Sequence, residues 1–179
     1  MVDDQDIKCM SNVLELYYHN LHKADEIWQK KDEKEEKLKN LLGAKGISYG
    51  SIGNGCSCSF PCNSNEKNLI LQIVGYQKEA EEYERNALIY DVVNNINYRL
   101  QHISDRNKDV IYYVFQEKQS QEFIMKEFNL KNKNYIYKLI NKAIKAMLEV
   151  KNMSNLDFYD LCLRFIFATL SLDYNYDFI

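Results

Sequence analysis

The chain has 179 residues, a formal net charge of −3 and 46% hydrophobic residues. This hydrophobic content supports a folded core and argues against wholesale disorder. One proline and six glycines are few for a protein built from many short strands. The composition therefore predicts an all-α fold, and the net charge gives no global argument for nucleic-acid binding.

The N-terminal run Met-Val-Asp-Asp-Gln-Asp lacks the basic and apolar segments of a secretory signal. The most apolar stretch, residues 156–172, contains Asp157, Asp160 and Arg164, and it is short for a membrane span. We therefore expect a cytoplasmic protein without a membrane partner.

Two long helices are predicted in the first hundred residues. Apolar side chains recur at steps of three and four over residues 11–42 and again over residues 65–103, which is helical spacing. The intervening segment 43–64 is rich in Gly, Ser, Asn and Cys, and Gly43 and Gly46 are expected to end the first helix. Two long helices joined by one loop predict an antiparallel helical hairpin.

Three shorter helices are predicted over residues 105–118, 120–128 and 133–148. Ser120 is the expected cap of the second helix. Asn129 is expected at the bend that follows, because asparagine tolerates the left-handed backbone that such a bend requires. The apolar residues expected in the shared core are Val110, Ile111, Val114, Phe115, Phe123, Ile124, Phe128, Ile136, Leu139, Ile140, Ala143 and Met147.

The third of these helices carries a local positive charge, because no acidic residue occurs between Asn129 and Leu148. Lysines neutralise phosphates, and asparagine and tyrosine can hydrogen-bond base edges or phosphate oxygens. The residues expected in a DNA groove are Asn132, Lys133, Asn134, Tyr135 and Lys138, near the start of the helix. Those expected along the DNA backbone are Lys131, Lys142 and Lys145, and Asn141 is a further expected DNA contact. A solvated helix face without a ligand is the competing interpretation.

The same segment resembles sigma-70 region 4. It reads Ser120-Gln-Glu-Phe-Ile-Met-Lys-Glu-Phe-Asn-Leu, then Tyr135-Ile-Tyr, then Asn141-Lys-Ala-Ile-Lys-Ala-Met. The positions that match the usual pattern are Ile124, Phe128, Ile136 and Ala143, with Lys142 where arginine is common. The departures are Phe123 at an acidic position, Met125 at an alanine, Asn129 at a glycine and Tyr135 at a threonine.

Over residues 20–148 the layout is similar to phage and prophage transcription regulators often called ArpU-like. The resemblance implies a non-catalytic regulator of transcription that binds double-stranded DNA sequence-specifically and contacts RNA polymerase, as region 4 does. Two alternatives stay open. A phage small terminase subunit would also bind DNA but would form ring oligomers, and a helical adaptor would bind protein alone.

Cys56, Cys58 and Cys62 form the cluster with the clearest metal-binding chemistry. Their spacing departs from the Cys-x2-Cys pairs of structural zinc sites, and a fourth local ligand is missing. Reduced thiols in a loop are favoured, so no metal or other cofactor is expected. The sequence also lacks a nucleophile–base pattern and a phosphate-binding glycine loop, which argues against an enzyme.

The expected organisation is a helical hairpin over residues 1–103, a helix-turn-helix DNA-binding domain over 104–150 and a C-terminal extension over 151–179. Within the extension, a last helix over 154–172 is apolar around much of its circumference. Such a helix requires burial, either on the rest of the chain or in a homodimer that would match two-fold DNA half-sites.

Overall fold

The computed structural model describes residues 2–44 and 64–150, and 87% of these residues are helical. The elements in chain order are α1 (Asp4–Ala44), α2 (Ser64–Asn94), α3 (Ile96–Gln101), α4 (Asp105–Ile111), a π-helical turn (Tyr112–Gln116), α5 (Gln121–Glu127) and α6 (Asn134–Glu149). The described residues contain no strand, so the all-α prediction is confirmed for them. The three clustered cysteines and the helix predicted over 154–172 lie outside this part of the chain.

Helix α1 begins seven residues before the predicted start because a reciprocal cap fixes its first turn. The backbone N–H of Asp6 donates to Oδ1 of Asp3 at 2.7 Å, and the N–H of Asp3 donates to Oδ2 of Asp6 at 3.1 Å. This is the arrangement of a capping box. At its other end α1 includes Gly43 and is described to Ala44, so Gly43 does not end it, and the expected stop at Gly46 lies outside the described residues.

The second predicted helix, over residues 65–103, is interrupted after Asn94. Asn95 has a left-handed backbone with φ 54° and ψ 42°, and α3 begins at the next residue. Asp91 stabilises the break, since its buried carboxylate accepts the backbone N–H of Asn97 at 2.7 Å and the side-chain amide of Asn97 at 2.6 Å. A side chain thus replaces the carbonyl that an unbroken helix would supply.

The chain divides into two compact units, and α1 contributes residues to both. One unit comprises Met1–His22 and Glu84–Ile179, and the other comprises Lys23–Tyr83. The fully buried large side chains of the first unit are Leu14, Ile96, Val110, Ile111, Ile144 and Met147. In the second unit the buried residues include Ala24, Ile27 and Ala80. The sequence-based domain boundary at residue 103 stays a prediction about independent folding.

No helix in the described ranges combines the length and the apolar character that are needed to cross a bilayer.

Candidate nucleic-acid interface

Helix α4 and the π-helical turn form the base on which the candidate site rests. Val110, Ile111 and Phe115 are buried, and Val114 is partly buried against the same core, as predicted. The Tyr113 ring lies edge-on to the rings of Phe123 in α5 and of Phe128 directly after it. The centroid distances are 5.3 Å to Phe123 and 6.2 Å to Phe128. Aromatic pairs in this geometry add to the energy of burial. Tyr113 therefore holds the following helix, and the sequence reasoning missed it.

Helix α5 is capped at its start as predicted. The hydroxyl of Ser120 accepts the backbone N–H of Phe123 at 3.2 Å, and Ile124 is buried. Phe123 was also predicted in the core, but its side chain is 36% exposed. Phe123 lies at the edge of the core beside Tyr113, because adjacent helical residues point about 100° apart and Ile124 faces the core interior.

The bend after α5 is a Schellman motif. The N–H of Leu130 donates to the carbonyl of Met125 at 2.8 Å, and the N–H of Asn129 donates to the carbonyl of Lys126 at 3.3 Å. Asn129 has φ 52°, the left-handed backbone that this motif requires. The predicted conformation of Asn129 is thus confirmed. The motif ends α5 sharply and redirects the chain toward α6.

Helix α6 is amphipathic over its full length. Ile136, Ala143, Ile144 and Met147 are buried, and Leu139 and Ile140 pack partly buried against the core. Ile144 was missing from the predicted core, although its position four residues after Ile140 follows the same helical spacing. The buried stripe fixes which side chains of α6 face solvent.

The nine residues predicted to contact DNA are all exposed. They are Lys131, Asn132, Lys133, Asn134, Tyr135, Lys138, Asn141, Lys142 and Lys145, and together they are called the lysine face below. Four residues of this set lie at helical steps of three or four from Asn134 to Lys145, so the structure brings them to one side of α6. Tyr137, at 63% exposure, lies at the border of this face.

Local contacts already order part of the lysine face. Nζ of Lys138 lies 5.4 Å from the centroid of the Tyr135 ring, which is a cation–π contact. Oδ1 of Asn132 accepts the backbone N–H of Asn134, the first residue of α6, at 3.0 Å. The role predicted for Asn132, a base contact, therefore competes with a structural role for its side-chain oxygen.

Two carboxylates border the lysine face, and sequence reasoning overlooked both. Glu122 of α5 lies 3.7 Å from Nζ of Lys133, and Glu149 lies 3.9 Å from Nζ of Lys145. The pKa of Glu122 is below its ordinary value because the carboxylate accepts its own backbone N–H at the start of α5 and because Lys133 is close. These ion pairs are long and exposed, so they contribute little and can exchange for other anions.

Arg99 of α3 supports the far end of α6. Its Nη1 donates to the carbonyl of Met147 at 2.8 Å, and its Nε donates to the carbonyl of Asn94 at 2.9 Å. Burial lowers the pKa of the guanidinium. A cation at a helix C-terminus is favourable because the free carbonyls there carry partial negative charge.

Histidine and the other potential metal ligands do not assemble a site in the described residues. No group of three or more His, Cys, Asp or Glu side chains there is arranged to hold a metal ion. His22 is half-buried and contacts the carbonyl oxygen of Gln116 through Nε2. This contact ties α1 to the end of the π-helical turn.

Comparisons of the chain with protein-family models, curated proteins and solved structures find no match. The resemblance to sigma-70 region 4 and to ArpU-like regulators therefore stays a prediction.

Proposed function

We propose that this protein binds double-stranded DNA through a helix-turn-helix formed by α5, the Asn129 bend and α6. The observation that carries the proposal is the lysine face: five exposed lysines and no carboxylate occur between Lys131 and Leu148, and three of these lysines lie on the solvent side of α6, whose other side is buried. Such a helix can enter a major groove while its lysines neutralise phosphates. The chain is then a DNA-binding protein without catalytic function.

Three features support this reading over a solvated surface without a ligand. The bend is short and fixed by hydrogen bonds, so α6 is held rigidly on α5. Its start carries Asn134 and Tyr135, which have hydrogen-bonding side chains exposed beside the lysines. Among the described residues, the carboxylates that approach the lysine face do so near its two ends, at Lys133 and Lys145.

The role in transcription rests on the resemblance of residues 120–147 to sigma-70 region 4. We propose a phage or prophage regulator that acts at a promoter in contact with RNA polymerase. A reporter gene behind a DNA site selected in vitro would change expression when the full chain is present. Unchanged expression would contradict the regulatory role and leave DNA binding itself intact.

We also propose that α1 and α2 pair as an antiparallel hairpin within the unit Lys23–Tyr83. Leu41 of α1 and Leu69 of α2 line one cleft, near the ends that the intervening loop joins. Lys23 and Tyr83, at the opposite ends of the unit, are close enough to interact electrostatically. Both proximities support an antiparallel arrangement.

Charge reversal on the lysine face tests the DNA-binding proposal. The variant Lys138→Glu/Lys142→Glu should lose binding to a duplex of about 30 base pairs, measured by fluorescence anisotropy at low salt, because the new carboxylates repel phosphates. The matched control is Lys8→Glu/Lys67→Glu, which changes the net charge equally at exposed lysines outside the lysine face. Thermal melts verify that both variants are folded.

The expected result is strong binding by the wild type and the control, and none by the first variant. Absence of duplex binding by the wild type at low salt would refute the proposal. An equal loss in the two charge-reversed variants would show that attraction follows total charge rather than the lysine face, and it would also refute the proposal.

A further inference from the structure

The exposed asparagines of α6 differ from several neighbouring lysines in that their side chains have no local polar contact among the described residues. Lys133 and Lys145 approach carboxylates, and Lys138 lies over the Tyr135 ring. In contrast, the side-chain amides of Asn134 and Asn141 make no hydrogen bond with any described residue. Each exposed amide therefore offers one free acceptor and two free donors.

The two amides occupy different places along the helix. Asn134 is the first residue of α6, and Asn141 lies seven residues later on the same side, about 10 Å along the axis. In helix-turn-helix docking, the start of the recognition helix meets base edges, and later turns leave the groove. Asn134 is thus placed for a base, and Asn141 is placed for the sugar–phosphate backbone.

The chemistry of an asparagine amide selects among the four bases. Its oxygen and nitrogen match the N6 donor and N7 acceptor that adenine presents together in the major groove. Guanine presents two acceptors there, which the donors of arginine or lysine match better than an amide does. No arginine occurs between Lys131 and Glu149. The amide at the start of α6 therefore favours adenine over guanine.

We propose that Asn134 reads an adenine in the major groove, so that the DNA target contains a required A·T pair at that position, while Asn141 contacts the backbone. This inference rests on the proposed DNA-binding function. It adds the base class that the site selects, and it separates a specifying residue from a positioning residue on one helix face.

The experiment is an in vitro selection of duplexes from a random library by the full chain, followed by affinity measurements on single-base variants of the selected site. The selected site should contain an invariant A·T pair whose replacement by G·C weakens wild-type binding about tenfold or more. Asn134→Ala should bind the two duplexes equally. Asn134→Gln should keep the preference, since glutamine can make the same pair of hydrogen bonds.

Two further variants separate base reading from general attraction. Asn141→Ala should weaken binding to both duplexes by the same factor and leave the base preference unchanged, as expected for a backbone contact. Asn68→Ala, at an exposed asparagine of α2, should change neither affinity nor preference.

The possible failures are distinguishable. Binding without base preference, a required G·C pair alone, or an Asn134→Ala variant that keeps the wild-type preference would overturn the adenine assignment and leave DNA binding standing. A wild-type chain that binds no duplex at low salt would overturn both the assignment and the proposed function.

Discussion

Left-handed backbone at residues other than glycine marks three junctions in the described ranges: Asn95, Lys118 and Asn129. Asn95 separates α2 from α3, Lys118 follows the π-helical turn, and Asn129 joins α5 to α6. Most side chains destabilise this conformation, whereas asparagine tolerates it and glycine adopts it freely. The orientation of α6 therefore depends on the residue type at position 129.

Substitutions at Asn129 should separate backbone conformation from side-chain contacts. Asn129→Ala is expected to lower the free energy of unfolding by about 1 kcal/mol, because alanine is strained at positive φ. Asn129→Gly should stay within about 0.5 kcal/mol of the wild type, because glycine adopts this φ without strain. Urea unfolding followed by circular dichroism measures both. Equal losses in the two variants would show that the Asn129 side chain, rather than its φ, matters.

A buried polar cluster lies in the core of the unit that carries α6. Asp91 and Tyr17 are each less than a tenth exposed, and the Asn97 amide donates to Oδ2 of Asp91 at 2.6 Å and to the Tyr17 hydroxyl at 3.3 Å. Tyr18 is buried beside them, with its ring 4.9 Å from that of Tyr17. Burial, and secondarily nearby negative charge, raises the pKa of both tyrosines.

These raised pKa values predict a loss of stability in alkali. The folded chain keeps the two phenolic protons to higher pH than the unfolded chain, so their contribution is complete below about pH 10 and falls as pH rises further. Tyr18→Phe should make the decline of the unfolding free energy between pH 9 and pH 11 shallower, as measured by urea titrations. Tyr137→Phe, at an exposed tyrosine, is the control. Parallel declines in wild type and Tyr18→Phe would contradict the prediction.

At the level of helices, apolar spacing located α4 to α6 closely and failed where side chains direct the backbone. Ser120 was predicted as a helix cap and Asn129 as a left-handed residue, each from its residue type alone, and both predictions are confirmed. The break at Asn95 depends on the hydrogen bond from the N–H of Asn97 to Asp91, which the spacing of apolar residues cannot predict. The early start of α1 depends on the reciprocal cap of Asp3 and Asp6, which the spacing of apolar residues does not include.

In the candidate site, too, some features could be predicted from the sequence and others could not. The exposed residues of α6 followed from its spacing, since a strongly amphipathic helix leaves little choice of buried face. The carboxylate of Glu122 belongs to α5, and the hydrogen bond from Arg99 to the carbonyl of Met147 comes from α3. Their positions depend on tertiary packing, so no pattern within residues 131–145 could indicate them.

The hydrogen bonds of Arg99 connect three helices, since the guanidinium of this α3 residue bonds carbonyls of Asn94 in α2 and Met147 in α6. Arg99→Met keeps the aliphatic stem and leaves the two carbonyls without this donor. We expect the free energy of unfolding to fall by about 1.5 to 3 kcal/mol, the range for hydrogen bonds to a charged group. Denaturant titration measures the loss.

The matched control for that measurement is Arg106→Met, at an exposed arginine of α4, which should leave stability within about 0.5 kcal/mol of the wild type. If the Arg99 variant were as stable as the Arg106 variant, the bonds to Asn94 and Met147 would be exchanged for water without cost.

For the whole molecule, the net charge of −3 means that the proposed attraction to DNA has to come from one local surface. The lysine face runs from Lys131 to Lys145, and the Debye length is about 8 Å at physiological ionic strength. Acidic residues farther away are therefore largely screened from the bound phosphates. Binding should depend on the number of lysines that contact phosphates and hardly at all on total charge.

The salt dependence of binding measures the number of lysine–phosphate contacts. Five phosphate contacts predict a slope near −4 to −5 in a plot of log affinity against log salt concentration, because each neutralised phosphate contributes about −0.9. Lys142→Ala should therefore reduce the slope by about 0.9, while Asn134→Ala should weaken binding to the selected site without changing the slope. Anisotropy titrations between about 50 and 200 mM salt measure both. A slope that stays constant in Lys142→Ala would place that lysine outside the phosphate contacts, and a slope near zero in the wild type would contradict electrostatic docking of the lysine face altogether.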